Sequence, residues 1–290
     1  MISHRAASTC AHSAALLFGL TAIFGALITA EASVITFGRA AFAVCALAVF
    51  ALFQKLPRRA LTLYQMGFLL ITGLLLATHW IAFFIAVKTG GVAVATLGFA
   101  SFPAFIALLD MLVFRERIGK AERMLIGLVT IGLVLVTPTF DFADKATVGL
   151  LWGIASGLSF AMIVMANRRG TRGLNAIEVA LWQNLVVAVV MLPFAYGKFQ
   201  LPHMSDWIYL ALLGVFCTAL AHYLFVKSLE RLAARSAGMI IALEPVYAIA
   251  CAWWLFAEQP SLRMLGGAAL ILLAVVLSAR ARRPPELPEH

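Results

Sequence analysis

Few residues of this 290-residue chain can do chemistry, and the strongest candidates lie inside long apolar runs. Glu244 interrupts the run from Met239 to Gln259, where it is followed by Pro245. A carboxylate near the centre of a membrane helix costs a few kcal/mol, so it is retained for a reason. It can carry a proton, position a substrate, or satisfy a carbonyl that Pro245 frees by lacking an N–H. Arg39 lies in the second apolar run, roughly 9 Å along a helix from the run's end, where its charge must snorkel outward or find a partner such as Glu31 or Glu244. His79 and Phe83 are four residues apart and share a helix face, with Thr72 two turns back. His222 sits in a corresponding run of the second half. Either imidazole can hydrogen-bond a zwitterion or a neighbouring helix. Trp80, Phe99, Phe102, Trp152, Trp182, Tyr223 and Tyr247 supply walls for a cavity or filling for a core, whereas Trp253 and Trp254 fit an interfacial anchor.

No enzyme signature accompanies these groups. The chain has no phosphate-binding G-x-x-x-x-G-K-[ST], no H-E-x-x-H and no G-x-S-x-G. Cys10, Cys45, Cys217 and Cys251 form no C-x-x-C pair and read as small packing residues rather than disulfides or metal ligands. An intramembrane enzyme would have to be built from Glu244, His79 and His222 alone.

The elements that must position these residues are membrane helices. The chain is 63% hydrophobic and 12% charged, against roughly 45–50% apolar in a soluble domain. A bilayer core needs about 20 apolar residues per helix. That ruler predicts ten, at approximately 12–29, 33–54, 64–87, 91–114, 124–139, 147–167, 176–196, 207–226, 236–256 and 262–279. The net charge of +9 is not one nucleic-acid-binding patch. Of 22 Lys and Arg residues, 17 fall in alternate loops assigned to the inside and four (Lys88, Lys145, Lys198 and Arg263) outside, with Arg39 within a helix. This asymmetry predicts cytoplasmic N- and C-termini. No cleavable leader is evident, and the first helix is expected to serve as its own anchor.

The chain also repeats itself. Thr96–Arg117 matches the stretch around Glu244, placing Pro103 on Pro245, Phe114 on Phe256 and Glu116 on Glu258. Leu16-Leu17-Phe18-Gly19 similarly resembles Leu150-Leu151-Trp152-Gly153. The loop after the first copy is basic and its counterpart nearly uncharged, so the halves run in opposite directions through the membrane. The predicted fold is an all-α integral membrane protein of two inverted five-helix repeats, residues 1–140 and 141–290.

Leu243-Glu244-Pro245-Val246, followed by Trp253 to Glu258, resembles the drug/metabolite transporter superfamily, and specifically its ten-helix EamA-type members. Ser101-Phe102-Pro103 with Phe114-Arg115-Glu116 fits the first-half version of the same motif, while Phe225 departs from a usually small residue. Within the family the chain looks most like YddG-type amino-acid exporters. The resemblance implies export from the cytoplasm across the bacterial inner membrane, with a cavity lined by helices one, three, four, six, eight and nine. Within transport the rival function is export of lipophilic cations, which one acid and many aromatics could hold.

Residues and resemblance together give an expected substrate-binding set of His79, Phe83, Phe99, Ser101, Trp152, His222, Glu244 and Tyr247. Gly91, Pro103, Gly238 and Pro245 are the expected hinges. No catalytic residue, cofactor or metal is expected. The expected partners are a small metabolite and membrane lipid, with no nucleic acid, and duplication makes a functional monomer sufficient.

Overall fold

The computed structural model describes residues 3–54, 60–114, 119–137, 141–170, 174–198, 203–228, 231–232, 240–241 and 243–281. Among these, every regular element is helical. In lipid each backbone N–H and C=O must find an internal partner, and a helix satisfies them within one segment. The elements are α1 (His4–Leu27), α2 (Ala32–Phe53), α3 (Leu63–Phe99), α4 (Phe102–Phe114), α5 (Lys120–Val136), α6 (Lys145–Gly170), α7 (Ala176–Ala195), α8 (Met204–Gly214), α9 (Ala221–Ser228), α10 (Glu244–Phe256) and α11 (Leu262–Ala281). A π-helical segment, Val215–Leu220, joins α8 to α9 without interrupting the span. Six helical stretches are long and apolar enough to cross a membrane unaided, and three shorter apolar helices accompany them. With α3 divided at Gly91 and its second part continued by α4, and with α5, α10 and α11 added, the described residues make ten spans of an all-α membrane protein.

Two boundaries differ from the sequence expectation for physical reasons. The third and fourth spans share the long helix α3, because Gly91 turns the chain at φ 82 and ψ 172 while helical bonding resumes at once. That backbone conformation is open to glycine and strained for other residues. The fourth span, expected to be continuous over 91–114, is broken again at Ala100 and Ser101, just before Pro103. Ser101 is buried and its hydroxyl donates to the carbonyl of Gly98 at 2.7 Å. That bond satisfies one acceptor exposed by the break. In the second half α10 begins at Glu244 with Pro245 in its first turn. The repeat thus starts a half-helix at the matched positions Phe102 and Glu244. The expected hinge Gly238 lies outside the described residues.

Packing follows the repeat: α2 lies on its counterpart α7 and α5 on α11, while α3 on α6 is matched by α9 on α1, and α10 also packs on α1. Glycine permits the closest crossings. A Cβ on Gly153 would come within 2.9 Å of the Ala95 carbonyl, and one on Gly19 within 3.0 Å of the Glu244 carbonyl. Such approaches replace the hydrophobic drive that is missing between helices in lipid with dispersion contacts.

Candidate functional site

The break before α4 brings His79 together with a group of aromatic rings. His79, 8% exposed, sits on α3 facing α6. Its Nδ1 lies 2.8 Å from Ser156 Oγ and 3.1 Å from the Ser156 carbonyl, while Ser156 Oγ donates to the His79 carbonyl at 3.1 Å. A carbonyl only accepts, so Nδ1 carries the ring proton. Around this ring lie Phe99 and Phe160, both with centroids 5.2 Å away, and Phe83 at 6.4 Å. Phe102, the first residue of the half-helix α4, stacks on Phe99 at 5.2 Å and meets Phe160 edge-on at 5.1 Å. The result is a continuous aromatic wall from α3 across α4 to α6.

The wall leads to a charge. Phe83 packs against Phe84, and Phe84 and Trp80 both face Arg39. The guanidinium lies 3.9 Å above the Trp80 ring. A desolvated contact of this type contributes on the order of 2 kcal/mol. Arg39 Nε donates to Thr218 Oγ1 at 2.7 Å. Thr218 in turn donates to the Leu213 carbonyl five residues back, in the π-helical segment. The arginine therefore neither snorkels outward nor pairs with Glu31, which instead forms an ion pair with Lys198. Glu244 takes the first position of α10 and is partly buried. Among the described residues its carboxyl forms no hydrogen bond and no ion pair.

The other candidates lie apart. Tyr247 is three residues beyond Glu244 on α10, and its hydroxyl meets His12 Nδ1 of α1 at 3.1 Å. His222 does not join His79. It lines a separate cavity of about 240 Å³ between α2, α7 and α9, with Phe50, Asn175 and Tyr223. Trp152 and Trp182 are each 40% exposed, and Trp152 takes no part in the aromatic wall. Several site residues were not legible as such. Ser156 and Phe160 carry no motif, Thr218 is one hydroxyl among many, and His12 stands near a terminus; only tertiary packing assigns them. No cluster of potential metal ligands occurs among the described residues.

A second polar group closes the end of the molecule where α1 meets α2. Asp206, fully buried at the start of α8, accepts from Thr29 N at 2.8 Å, Thr29 Oγ1 at 2.6 Å and His203 N at 3.2 Å. Lys88 donates to the Ile28 carbonyl beside it. Glu258 reaches from the end of α10 toward Val92 N, a long contact of 3.5 Å, directly after the Gly91 turn. The Asp206–Thr29, Glu258–Val92 and Glu31–Lys198 contacts tie the first half to the second.

Comparison with known proteins places this geometry. The chain is 25% identical over 268 residues to an uncharacterized transporter of Archaeoglobus fulgidus, covering 92% of this chain and 93% of that protein. It is 24% identical to the pseudopaline exporter CntI of Pseudomonas aeruginosa, over 77% of this chain and 78% of that one. A S-adenosylmethionine uptake transporter of Rickettsia bellii is also 24% identical, over 71% and 70% of the two chains. A solved crystal structure superposes with a TM-score of 0.67 at 20% identity, covering 97% of this chain and all of the other, which establishes the shared fold. The EamA-like transporter family model matches twice, at residues 6–137 and 147–280. The chain belongs to the EamA-like transporter family and is a membrane transporter rather than an enzyme.

Proposed function

We propose that this protein is a secondary transporter that exports amino acids, aromatic ones among them, across the bacterial inner membrane by alternating access. The observation that carries this reading is that half-helices start at the matched positions Phe102 and Glu244, with an aromatic wall at the first and a partly buried carboxyl at the second. Broken helices at matched places of a repeat are where transporters of this architecture bind their cargo. A carboxylate suits an ammonium group, and Phe83, Phe99, Phe102 and Phe160 suit an apolar side chain. Relatives named for export of one metabolite and uptake of another support metabolite transport as the general task.

In this reading the halves are inverted, both termini are cytoplasmic, and the Asp206 and Glu258 contacts close the outer side. A cysteine replacing Lys198 then reacts with an impermeant maleimide in intact cells, and one replacing Arg169 does not. Reversed labelling would overturn the orientation.

Export of a lipophilic cation is the second reading. Glu244 and the aromatic wall favour a cation, but Arg39 disfavours one. Proteoliposomes that accumulate labelled L-phenylalanine and not a cationic dye support the first reading; the opposite selectivity supports the second.

A further inference from the structure

Arg39 is 6% exposed in the middle of a membrane protein. Among the described residues no carboxylate lies within salt-bridge distance of it, and its one hydrogen bond runs from Nε to Thr218. Thus Trp80 covers the face of the guanidinium and Thr218 fixes its edge, while the two terminal nitrogens have no partner among the described residues. A buried guanidinium without a counter-ion is costly, and one that only had to be accommodated would be paired or snorkelled. Local structure is also spent on holding it. The span formed by α8 and α9 is distorted into a π-helix over Val215–Leu220, and Thr218 lies within that distortion. Gly214 lets the backbones touch there, since a Cβ would come within 2.7 Å of the Arg39 carbonyl. π-Helical segments inside α-helices are concentrated at functional sites.

Two features therefore converge on one group: a fixed fork of free donors and a distorted helix that orients it. We propose that Arg39 is the carboxylate-binding group of the transport site. The substrate is then a zwitterion whose carboxylate occupies the terminal nitrogens of Arg39 and whose ammonium faces Glu244. Guanidinium geometry matches a carboxylate through two parallel hydrogen bonds. Trp80 and Thr218 are positioning residues in this scheme. The substrate's carboxylate supplies the counter-charge that the fold leaves out. This inference deepens the amino-acid reading and rests on it only for the ammonium end.

The test is binding to purified protein in detergent, measured calorimetrically with four probes: L-phenylalanine, 3-phenylpropionate, L-phenylalaninamide and tetraphenylphosphonium. In the wild type the two carboxylates bind. Arg39→Gln weakens both at least tenfold and leaves the amide unchanged, while Glu244→Gln weakens the amide and spares 3-phenylpropionate. Should Arg39→Gln not give monodisperse protein, Arg39→Lys carries the test. It keeps the charge but loses the fork, so the acids weaken several-fold and the amide does not. Equal weakening of acid and amide by the Arg39 variants, or wild-type protein that binds neither carboxylate, overturns the proposal. Binding of 3-phenylpropionate without L-phenylalanine keeps the Arg39 site and defeats the amino-acid reading. Binding of tetraphenylphosphonium that strengthens in Arg39→Gln, with no carboxylate bound, defeats both.

Discussion

Replacing Glu244 by Gln lowers amino-acid transport at least tenfold while the protein stays monodisperse. The substitution keeps the shape and hydrogen-bonding capacity of the side chain and removes its charge. If Glu244 only capped a carbonyl freed by Pro245, an amide would serve equally well and the variant would be nearly silent. Two observations favour the charge. Among the described residues the carboxyl bonds to nothing, and it stands at the start of a half-helix. The repeat sharpens the point. The matched position carries Phe102, so an acid at this place is not a requirement of the common scaffold. Removing one of two charges that hold a zwitterion forfeits a charge-assisted hydrogen bond, about 1.5–3 kcal/mol. That corresponds to the predicted loss, since about 1.4 kcal/mol is one factor of ten. The pH dependence of transport also flattens if Glu244 carries the coupling proton. An unchanged rate across the pH range would exclude proton coupling through this residue, and Glu244→Ala would then reveal a structural role as a lowered melting temperature.

Asp206→Ala opens the side of the protein that α1 and α2 share with α8. The carboxylate serves Thr29 twice and His203 once, and is fully buried. Without it the part-buried N–H groups of Thr29 and His203 lose their acceptor, at about 1 kcal/mol each. The loss falls on a tie between the two halves, so it appears locally before it appears as unfolding. Hydrogen exchange of residues 28–31 speeds up at least tenfold, and the helical core around Phe84 is unaffected. Asp206→Asn, which retains one acceptor, has a smaller effect. Unchanged protection at 28–31 would show that this tie does not depend on Asp206.

Much of the fold is readable from the chain because the bilayer enforces simple rules. Ten apolar segments, the bias of Lys and Arg, and the Pro103–Pro245 echo all follow from local composition and spacing. Glu244 is equally visible, since an acid in such a run demands a reason. What remains hidden depends on long-range packing. Arg39 finds Trp80 and Thr218, the latter 179 residues away, and no periodicity announces that meeting. His79 and His222 lie on corresponding runs of the two halves, yet one joins the aromatic wall and the other lines a cavity elsewhere. The break at Ser101 is signalled by Pro103, but the hydroxyl that caps it becomes evident only from its bond to Gly98.

The most direct measurement is counterflow in proteoliposomes containing the purified protein. Liposomes loaded with unlabelled L-phenylalanine should take up labelled L-phenylalanine several-fold faster than empty ones, because an alternating-access carrier returns more readily when loaded. The same acceleration should be absent with L-phenylalaninamide inside and lost in Glu244→Gln. Uptake that ignores the internal amino acid, or that occurs only with a lipophilic cation, would contradict amino-acid export by alternating access.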